Sequence, residues 1–178
     1  MLGKRNIFLI GPMGSGKSAV GKLLARLVHA PFHDSDAEVE RRTGVDITYI
    51  FEKEGEPRFR QREHEAIDML TQLEPVVLAT GGGAVLLPEN RRCLKERGCV
   101  VYLEASVGQQ ATRVRHARHR PLLANVDPEE KLRQLMSERA PLYAECADVT
   151  VSTDGRRIQS VAEEILRRLG QRQPTYTG

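Results

Sequence analysis

The feature that most constrains this sequence is a glycine-rich octapeptide near its start. The segment GPMGSGKS at residues 11–18 fits the pattern GxxxxGK[ST] and directly follows an apolar run at residues 6–10. It precedes a helical pattern with apolar residues at Val20, Leu23, Leu24, Leu27 and Val28. A strand, a glycine loop and a helix in this order predict a phosphate-binding loop, because backbone N–H groups and the helix N-terminus can surround phosphate oxygens. A glycine-rich turn without a ligand is the alternative, but the flanking strand and helix argue against it.

Two side chains at the end of this loop have predicted roles. Lys17 is expected to carry its charge to the β and γ phosphates of a nucleotide, and Ser18 to offer a hydroxyl ligand to Mg²⁺. The sequence therefore predicts nucleotide binding and leaves the acceptor of any phosphoryl transfer open.

Short apolar runs alternate with helical patterns along the rest of the chain. The other candidate strands are residues 31–33, 76–79, 99–103 and 148–152. Between them, Pro88 opens a helix that Gly98 closes, and Asp127 and Pro128 open another. Continuous apolar runs are typical of parallel strands covered on both faces. We predict an α/β fold with a five-stranded parallel sheet and helices on both faces. A length of 178 residues fits one domain, residues 1–178, with a loose tail at 171–178.

Composition excludes several classes of function. The longest apolar runs are too short to span a bilayer, and the first six residues do not resemble a secretory signal, so we expect a cytoplasmic protein without membrane partners. The net charge of +3 comes with a local arginine excess at residues 113–120, which favours a compact anionic ligand over nucleic acid. Cys93, Cys99 and Cys146 show no CxxC spacing and predict neither a disulfide framework nor a zinc site.

Two carboxylates follow the second candidate strand, where loops of a parallel sheet gather around a ligand. Asp34 and Asp36 could divide the work, one holding hydrated Mg²⁺ and the other orienting the acceptor hydroxyl and taking its proton. Helix N-capping is the alternative for Asp36, because a helical pattern starts at Ala37.

Glycines and arginines supply the other candidate acceptor groups. Gly81, Gly82 and Gly83 follow the 76–79 strand and expose backbone donors, although a plain loop is the alternative. Arg60 and Arg139 lie in register with apolar residues of their helices, so each inward guanidinium needs a carboxylate, either from a ligand or from the protein, such as Glu63 or Asp36. These groups suggest an acceptor with both a carboxylate and hydroxyls.

A basic segment at residues 112–126 is predicted to form a mobile lid. Arg120 is the first choice for a catalytic arginine there, because the Pro-Leu-Leu element after it could anchor the lid over a triphosphate. A solvated helix end is the alternative reading, and for Arg115 and Arg118 it is the preferred one.

Taken together, the motifs resemble those of the shikimate kinase family. They are GPMGSGKS, Asp34-Ser-Asp36, Phe59-Arg60, Gly81-Gly-Gly83, Arg120-Pro-Leu-Leu123 and Arg139-Ala-Pro-Leu-Tyr143, in the family's order and approximate spacing over almost the whole chain. The loop alone is widely shared, whereas the combination is specific. The resemblance implies transfer of the γ-phosphoryl group of ATP, with one Mg²⁺, to the 3-hydroxyl of shikimate on the route to chorismate and aromatic amino acids.

The same resemblance implies residue roles. Lys17, Asp36 and Arg120 would be catalytic, and Ser18 and Asp34 would serve the metal, Asp34 through water. Shikimate would contact Asp36, Arg60, Gly81, Gly82, Gly83 and Arg139, with the two arginines on its carboxylate. ATP would contact Gly14, Ser15, Gly16, Lys17, Ser18, Ala19, Arg113, Arg120 and Arg156. Ala19 departs from the threonine often found there, and Arg156 lies in a variable stretch.

Two rivals remain at this level. A sugar-acid kinase such as a gluconate kinase also phosphorylates a hydroxylated carboxylate, and a non-catalytic nucleotide-binding regulator could retain the fold. The Gly-Gly-Gly and Arg-x-Pro-Leu-Tyr elements argue against the first, and the presence of Lys17, Asp36 and Arg139 argues against the second. A monomer is expected, since the sequence has no obvious surplus apolar face.

Overall fold

The computed structural model of the chain describes residues 6–115, 121–123 and 125–170. Its five strands form one parallel sheet in the order β2-β3-β1-β4-β5. The strands are β1 (Ile7–Ile10), β2 (Phe32–Asp34), β3 (Val77–Ala79), β4 (Cys99–Glu104) and β5 (Val149–Ser152). The predicted α/β fold with a five-stranded parallel sheet is confirmed, and the strands lie within one residue of the predicted runs.

Eight α-helices surround the sheet in the described part of the chain. They are α1 (Lys17–Val28), α2 (Ser35–Thr43), α3 (Ile47–Glu54), α4 (Glu56–Leu70), α5 (Pro88–Arg97), α6 (Val107–Val114), α7 (Pro128–Cys146) and α8 (Ile158–Gly170). Prolines start α5 and α7 at positions where the missing N–H costs nothing. None of these helices combines the length and apolar character that a bilayer crossing requires.

The sheet is buried on both faces, which explains its continuous apolar strands. In β1, Phe8 and Ile10 join a cluster with residues of α4, α5 and α7, whereas Ile7 and Leu9 face α1 and α8. Side chains of successive strand residues point to opposite faces, so a strand between two helical layers needs apolar residues at every position. This arrangement holds the carboxyl ends of the strands at one edge of the molecule.

The connection from β2 to β3 contains three helices, α2, α3 and α4. They pack around their own small cluster of Val39, Ile50, Phe59 and Ala66. Gly44 and Gly55 separate the helices with left-handed φ values of 73° and 82°. This excursion forms a wall beside the carboxyl ends of β1, β2 and β3.

Part of the predicted lid and all of the predicted tail lie outside the described residues. Residues 116–120 and 124 of the lid segment 112–126 and residues 171–178 lie outside the described residues. Within that segment, α6 extends to Val114 and a short 3-10 helix covers Pro121–Leu123.

Candidate active site

A cavity of about 600 Å³ opens at the carboxyl ends of β1, β2 and β3. The GPMGSGKS loop forms one end of it, and α2, α3, α4 and α7 enclose the other. Its polar lining includes Lys17, Ser18, Asp34, Asp36, Arg60, Glu63, Gly81, Gly82, Gly83, Arg113 and Arg139. The fold thus brings most of the predicted site residues to one cavity, from segments that are far apart in the sequence.

The loop after β1 is built by local conformation. Gly16, the residue before α1, has a left-handed φ of 90°, which an L side chain rarely adopts. Lys17 is buried, and its ammonium group donates to the carbonyl oxygens of Gly11 at 2.7 Å and Pro12 at 2.8 Å. The lysine therefore lies over the loop, with its charge at the place where phosphate groups bind in such loops.

Ser18 and Asp34 meet across the start of the cavity. The Ser18 hydroxyl donates to Asp34 Oδ2 at 3.1 Å, while Asp34 Oδ1 accepts from the backbone N–H groups of Asp36 and Ala37 at 2.9 and 3.1 Å. Asp34, and not Asp36, is therefore the N-cap of α2. One carboxylate oxygen of Asp34 caps the helix and the other accepts the hydrogen bond from Ser18. The alternative role considered for Asp36, capping of this helix, is therefore filled by Asp34.

Asp36 lies in the first turn of α2, beside the glycine segment after β3. An ideal Cβ placed on Gly81 would lie 2.7 Å from Asp36 Oδ1 and 2.9 Å from Glu63 Oε2. Real Cβ atoms do not approach other atoms this closely, so a side chain at position 81 would displace at least one of the two carboxylates. The backbone N–H of Gly81 also donates to Ser35 Oγ at 3.1 Å, which joins the ends of β2 and β3.

Arg60 is held by two carboxylates of its own helix. Its guanidinium group contacts Glu63 Oε1 at 2.9 Å and Glu56 Oε1 at 3.1 Å. Burial raises the pKa of the Glu63 carboxyl, and the charges of Arg60 and Arg139 oppose that rise. An internal salt bridge, the alternative considered for this arginine, is thus present, although Arg60 also lines the cavity.

Arg139 differs from Arg60 in its surroundings. It is 4% exposed on α7, its Nε has no hydrogen-bond partner among the described residues, and no ion pair within 4.0 Å joins it to a carboxylate of that part of the chain. Its Nη1 lies 3.5 Å from the ideal Cβ position of Gly82. A buried guanidinium with spare donors in a cavity is suited to bind an anionic ligand.

Some of the residues predicted to contact the nucleotide line the cavity, and others do not. Gly14 and Gly16 line the cavity, and Arg113 Nη1 donates to the Gly14 carbonyl oxygen at 2.9 Å. Ser15 is buried within the loop, whereas Ala19 is exposed on α1 and does not line the cavity. Arg120 lies outside the described residues.

Arg156 is not among the residues that line the cavity. Its guanidinium contacts Glu164 Oε2 at 2.5 Å and Ser160 Oγ at 3.0 Å, which ties the turn after β5 to α8. Its predicted role beside the adenine stays a prediction.

Several side chains lie at the site for which the sequence predicted no ligand-binding or catalytic role. Glu63 lies fully buried between Arg60 and Gly81, where the sequence suggested only a salt-bridge partner. Phe51 and Phe59, with ring centroids 4.9 Å apart, supply an apolar wall. Tyr143 donates from α7 to the Gly82 carbonyl oxygen at 2.5 Å. The helical register of Glu63 with Arg60 was a usable signal; the contacts of the others depend on the tertiary structure.

Known proteins match this chain over nearly its whole length. The family model described as shikimate kinase matches residues 13–170. Among curated relatives, the shikimate kinases of Nitrosococcus oceani and Pseudomonas syringae pv. tomato are 55% and 52% identical, covering 93% and 96% of this chain and 87% and 99% of their own lengths. A solved structure of shikimate kinase from Acinetobacter baumannii in complex with shikimate has a TM-score of 0.93 and 47% identity, covering 95% of this chain and 94% of that one.

These matches cover the loop, the α2–α4 excursion and α7 together, and their identities lie far above the level at which only a fold is shared. On this evidence, the chain belongs to the shikimate kinase family.

Proposed function

We propose that this protein transfers the γ-phosphoryl group of ATP to the 3-hydroxyl of shikimate, giving 3-phosphoshikimate and ADP. The observation that carries the proposal is the division of one cavity into a phosphate-binding loop at one end and an acceptor end with two guanidinium groups and a carboxylate. An acceptor with an acid group and a hydroxyl fits between them, since its carboxylate can face the guanidinium groups while the hydroxyl faces the loop.

At the loop, backbone N–H groups and Lys17 bind the phosphates of ATP. Gly14, Ser15 and Gly16 supply the loop backbone, Ala19 continues it into α1, and Lys17 moves its charge from the carbonyls of Gly11 and Pro12 to the β and γ phosphates. Arg113, already bonded to Gly14, adds positive charge beside the loop. Arg120 is assigned to the charge that develops on the transferring group, and Arg156 to the adenine side, both on the family resemblance.

The residues present fit one Mg²⁺ ion. Ser18 and Asp34 are hard oxygen donors that lie 3.1 Å apart at the edge of the loop. The described residues contain no cluster of three His, Cys, Asp or Glu side chains able to hold a metal by themselves, which suits an ion that keeps waters and binds phosphate. When bound, the ion would neutralise phosphate charge during transfer.

At the acceptor end, Arg139 and Arg60 bind the shikimate carboxylate. Arg139 has the spare donors, while Arg60 remains oriented by Glu63 and Glu56. Gly82 contributes a backbone contact, and Gly81 and Gly83 keep the turn thin enough for the ligand. The phenylalanine pair, Phe51 and Phe59, offers an apolar surface to the carbon ring.

Asp36 is assigned to the acceptor hydroxyls and the proton of the reacting one. It lines the cavity beside Gly81, and the N-cap of α2 is Asp34 and not Asp36. Accepting a hydrogen bond orients the hydroxyl, and taking its proton as the new P–O bond forms keeps charge balanced.

The proposed reaction also suggests where the protein works and with which partners. We propose a cytoplasmic monomer that serves chorismate and aromatic amino acid biosynthesis, without nucleic-acid or membrane partners.

The test is ATP-dependent ADP release with Mg²⁺ and either shikimate or gluconate, with the product identified by phosphorus NMR. Turnover with shikimate and a phosphomonoester signal on its 3-oxygen is expected, together with loss of activity when Mg²⁺ is removed by chelation. Turnover with gluconate alone would reassign the acceptor. ATP binding without turnover on either acid would overturn the kinase proposal.

A further inference from the structure

The hydroxyl of Tyr143 makes a contact that none of the roles above uses. This side chain is fully buried on α7, one turn after Arg139, and it donates to the Gly82 carbonyl oxygen at 2.5 Å. Its ring stacks on Tyr102 with centroids 5.0 Å apart. A buried phenol normally needs a partner, but this one finds it in the cavity-lining turn and not in the core.

Arg139 and Tyr143 act on the same glycine from one helix. Residues four apart on a helix lie on one face, and Arg139 Nη1 approaches Gly82 from the cavity side while the Tyr143 hydroxyl holds its carbonyl. Burial raises the pKa of Tyr143 well above the usual range for tyrosine, and the positive charge of Arg139 opposes that rise. Tyr143 therefore donates to the Gly82 carbonyl as a neutral phenol, with the Arg139 guanidinium beside the same glycine.

We propose that Tyr143 is a positioning residue for the acceptor: its hydroxyl sets the Gly82 peptide and the Arg139 guanidinium in one arrangement that receives the carboxylate. The inference rests on the proposed function and deepens it. The carbonyl of Gly82 is turned into the protein by the tyrosine, so the opposite side of this peptide is presented to the ligand.

Tyr102 provides the matched control. It belongs to the same stack and is 4% exposed, and no hydrogen bond of its hydroxyl is found within the described structure. Burial raises the pKa of Tyr102 to about 12, so it too is a neutral phenol. Tyr143→Phe and Tyr102→Phe each remove one hydroxyl from the stack and retain the ring, but only the first releases Gly82.

The experiment compares these variants by steady-state kinetics, calorimetric shikimate binding without nucleotide, and thermal unfolding. Tyr143→Phe is expected to raise the KM and Kd for shikimate about tenfold, as loss of a buried hydrogen bond at a binding site can do, with the ATP KM within about twofold of wild type. Tyr102→Phe should change all of these by less than about twofold. The positioning role would be overturned if the two variants had the same KM and Kd for shikimate. It would also be overturned if Tyr143→Phe raised the KM for ATP as much as the KM for shikimate.

A second measurement needs no variant at position 143. The chain has four tyrosines, Tyr49, Tyr102, Tyr143 and Tyr176, so 3-fluorotyrosine labelling gives a fluorine NMR spectrum that single Phe substitutions at the other three positions can assign. Shikimate at saturation is expected to shift the Tyr143 signal more than the Tyr102 signal. An unmoved Tyr143 signal under saturating shikimate contradicts the proposal. Turnover of shikimate by the wild-type protein is measured separately. If turnover occurs but the Tyr143 signal does not move, this inference fails while the proposed function stands; if there is no turnover, the proposed function itself fails.

Discussion

The two ends of the cavity are built in different ways. The phosphate-loop end is contiguous in sequence, and its shape comes from backbone conformation at Gly14 and Gly16 and from one lysine that bonds to the loop itself. The acceptor end is assembled from α2, α4, the turn after β3 and α7, and depends on buried charged side chains. A local, backbone-based site suits a ligand shared by many proteins, whereas an assembled set of side chains can be specific for one acceptor.

The acceptor end also contains buried polar groups that lower the stability of the fold. Glu63 and Arg139 lie buried in a region where Glu63 Oε2 and Arg139 Nε have no hydrogen-bond partner among the described residues. Buried polar groups without partners cost stability, and a ligand that pairs with them recovers that cost on binding. Single substitutions at this end should therefore change the kinetic constants for the acceptor more than those for ATP.

The largest effect is expected for Asp36→Asn. The amide keeps the size of the side chain but cannot take a proton, so kcat should fall by at least about a hundredfold, while ATP affinity changes little. Asp127→Asn at the N-cap of α7 is the control, because Asn caps as well as Asp. Kinetics with both substrates varied, and nucleotide titration, decide the matter; near-normal turnover would remove Asp36 from catalysis.

Arg139→Ala should act on the acceptor alone. Loss of a charge-assisted hydrogen bond to the carboxylate is expected to raise the shikimate KM at least about thirtyfold, with the ATP KM nearly constant. Arg133→Ala on the same helix is the control, because that arginine forms exposed pairs with Glu129 and Glu130. If the two variants have the same shikimate KM, the carboxylate assignment is wrong.

Gly83→Ala tests how tightly the turn fits against Arg60. The added Cβ would overlap the Arg60 guanidinium, which must then move away from Glu63 or from the ligand. We expect a rise of about tenfold in the shikimate KM, corresponding to about 1.4 kcal/mol of binding. Gly108→Ala in α6, where the new methyl group meets nothing within 4 Å, should leave both KM values unchanged. A normal shikimate KM for Gly83→Ala would show that Arg60 adapts freely.

The smallest effect is expected for Arg156→Ala. Because its guanidinium is engaged by Glu164 and Ser160, we expect only about a threefold rise in the ATP KM and no change for shikimate. The control is Arg157→Ala at the exposed neighbouring position. An ATP KM equal to that of the control would withdraw Arg156 from the nucleotide site.

Much of the site could be predicted because its signals are local. The loop at residues 11–18 is a contiguous pattern, and the burial of Arg60 and Arg139 was visible from their register with apolar residues. What each arginine bonds to was not visible. Arg60 has carboxylates three residues after it and four before it on its own helix, whereas Arg139 meets Gly82, a contact that depends on how α7 packs against the segment after β3.

The capping of α2 shows the same limit at a single helix end. Asp34 and Asp36 are equally good caps by residue type, and only the backbone of the β2–α2 junction decided that Asp34 caps and that its second oxygen meets Ser18.

By itself, the sequence determined the strand order along the chain, the parallel α/β architecture and the phosphate loop, because periodicity and glycine placement act over a few residues. The tertiary structure alone decided the partners of Gly81 and Gly82 at the acceptor end, since those contacts join residues that are 46 and 61 positions apart. Tyr143 and Gly82 are 61 residues apart, and only the packed sheet and helices bring the tyrosine hydroxyl to that carbonyl.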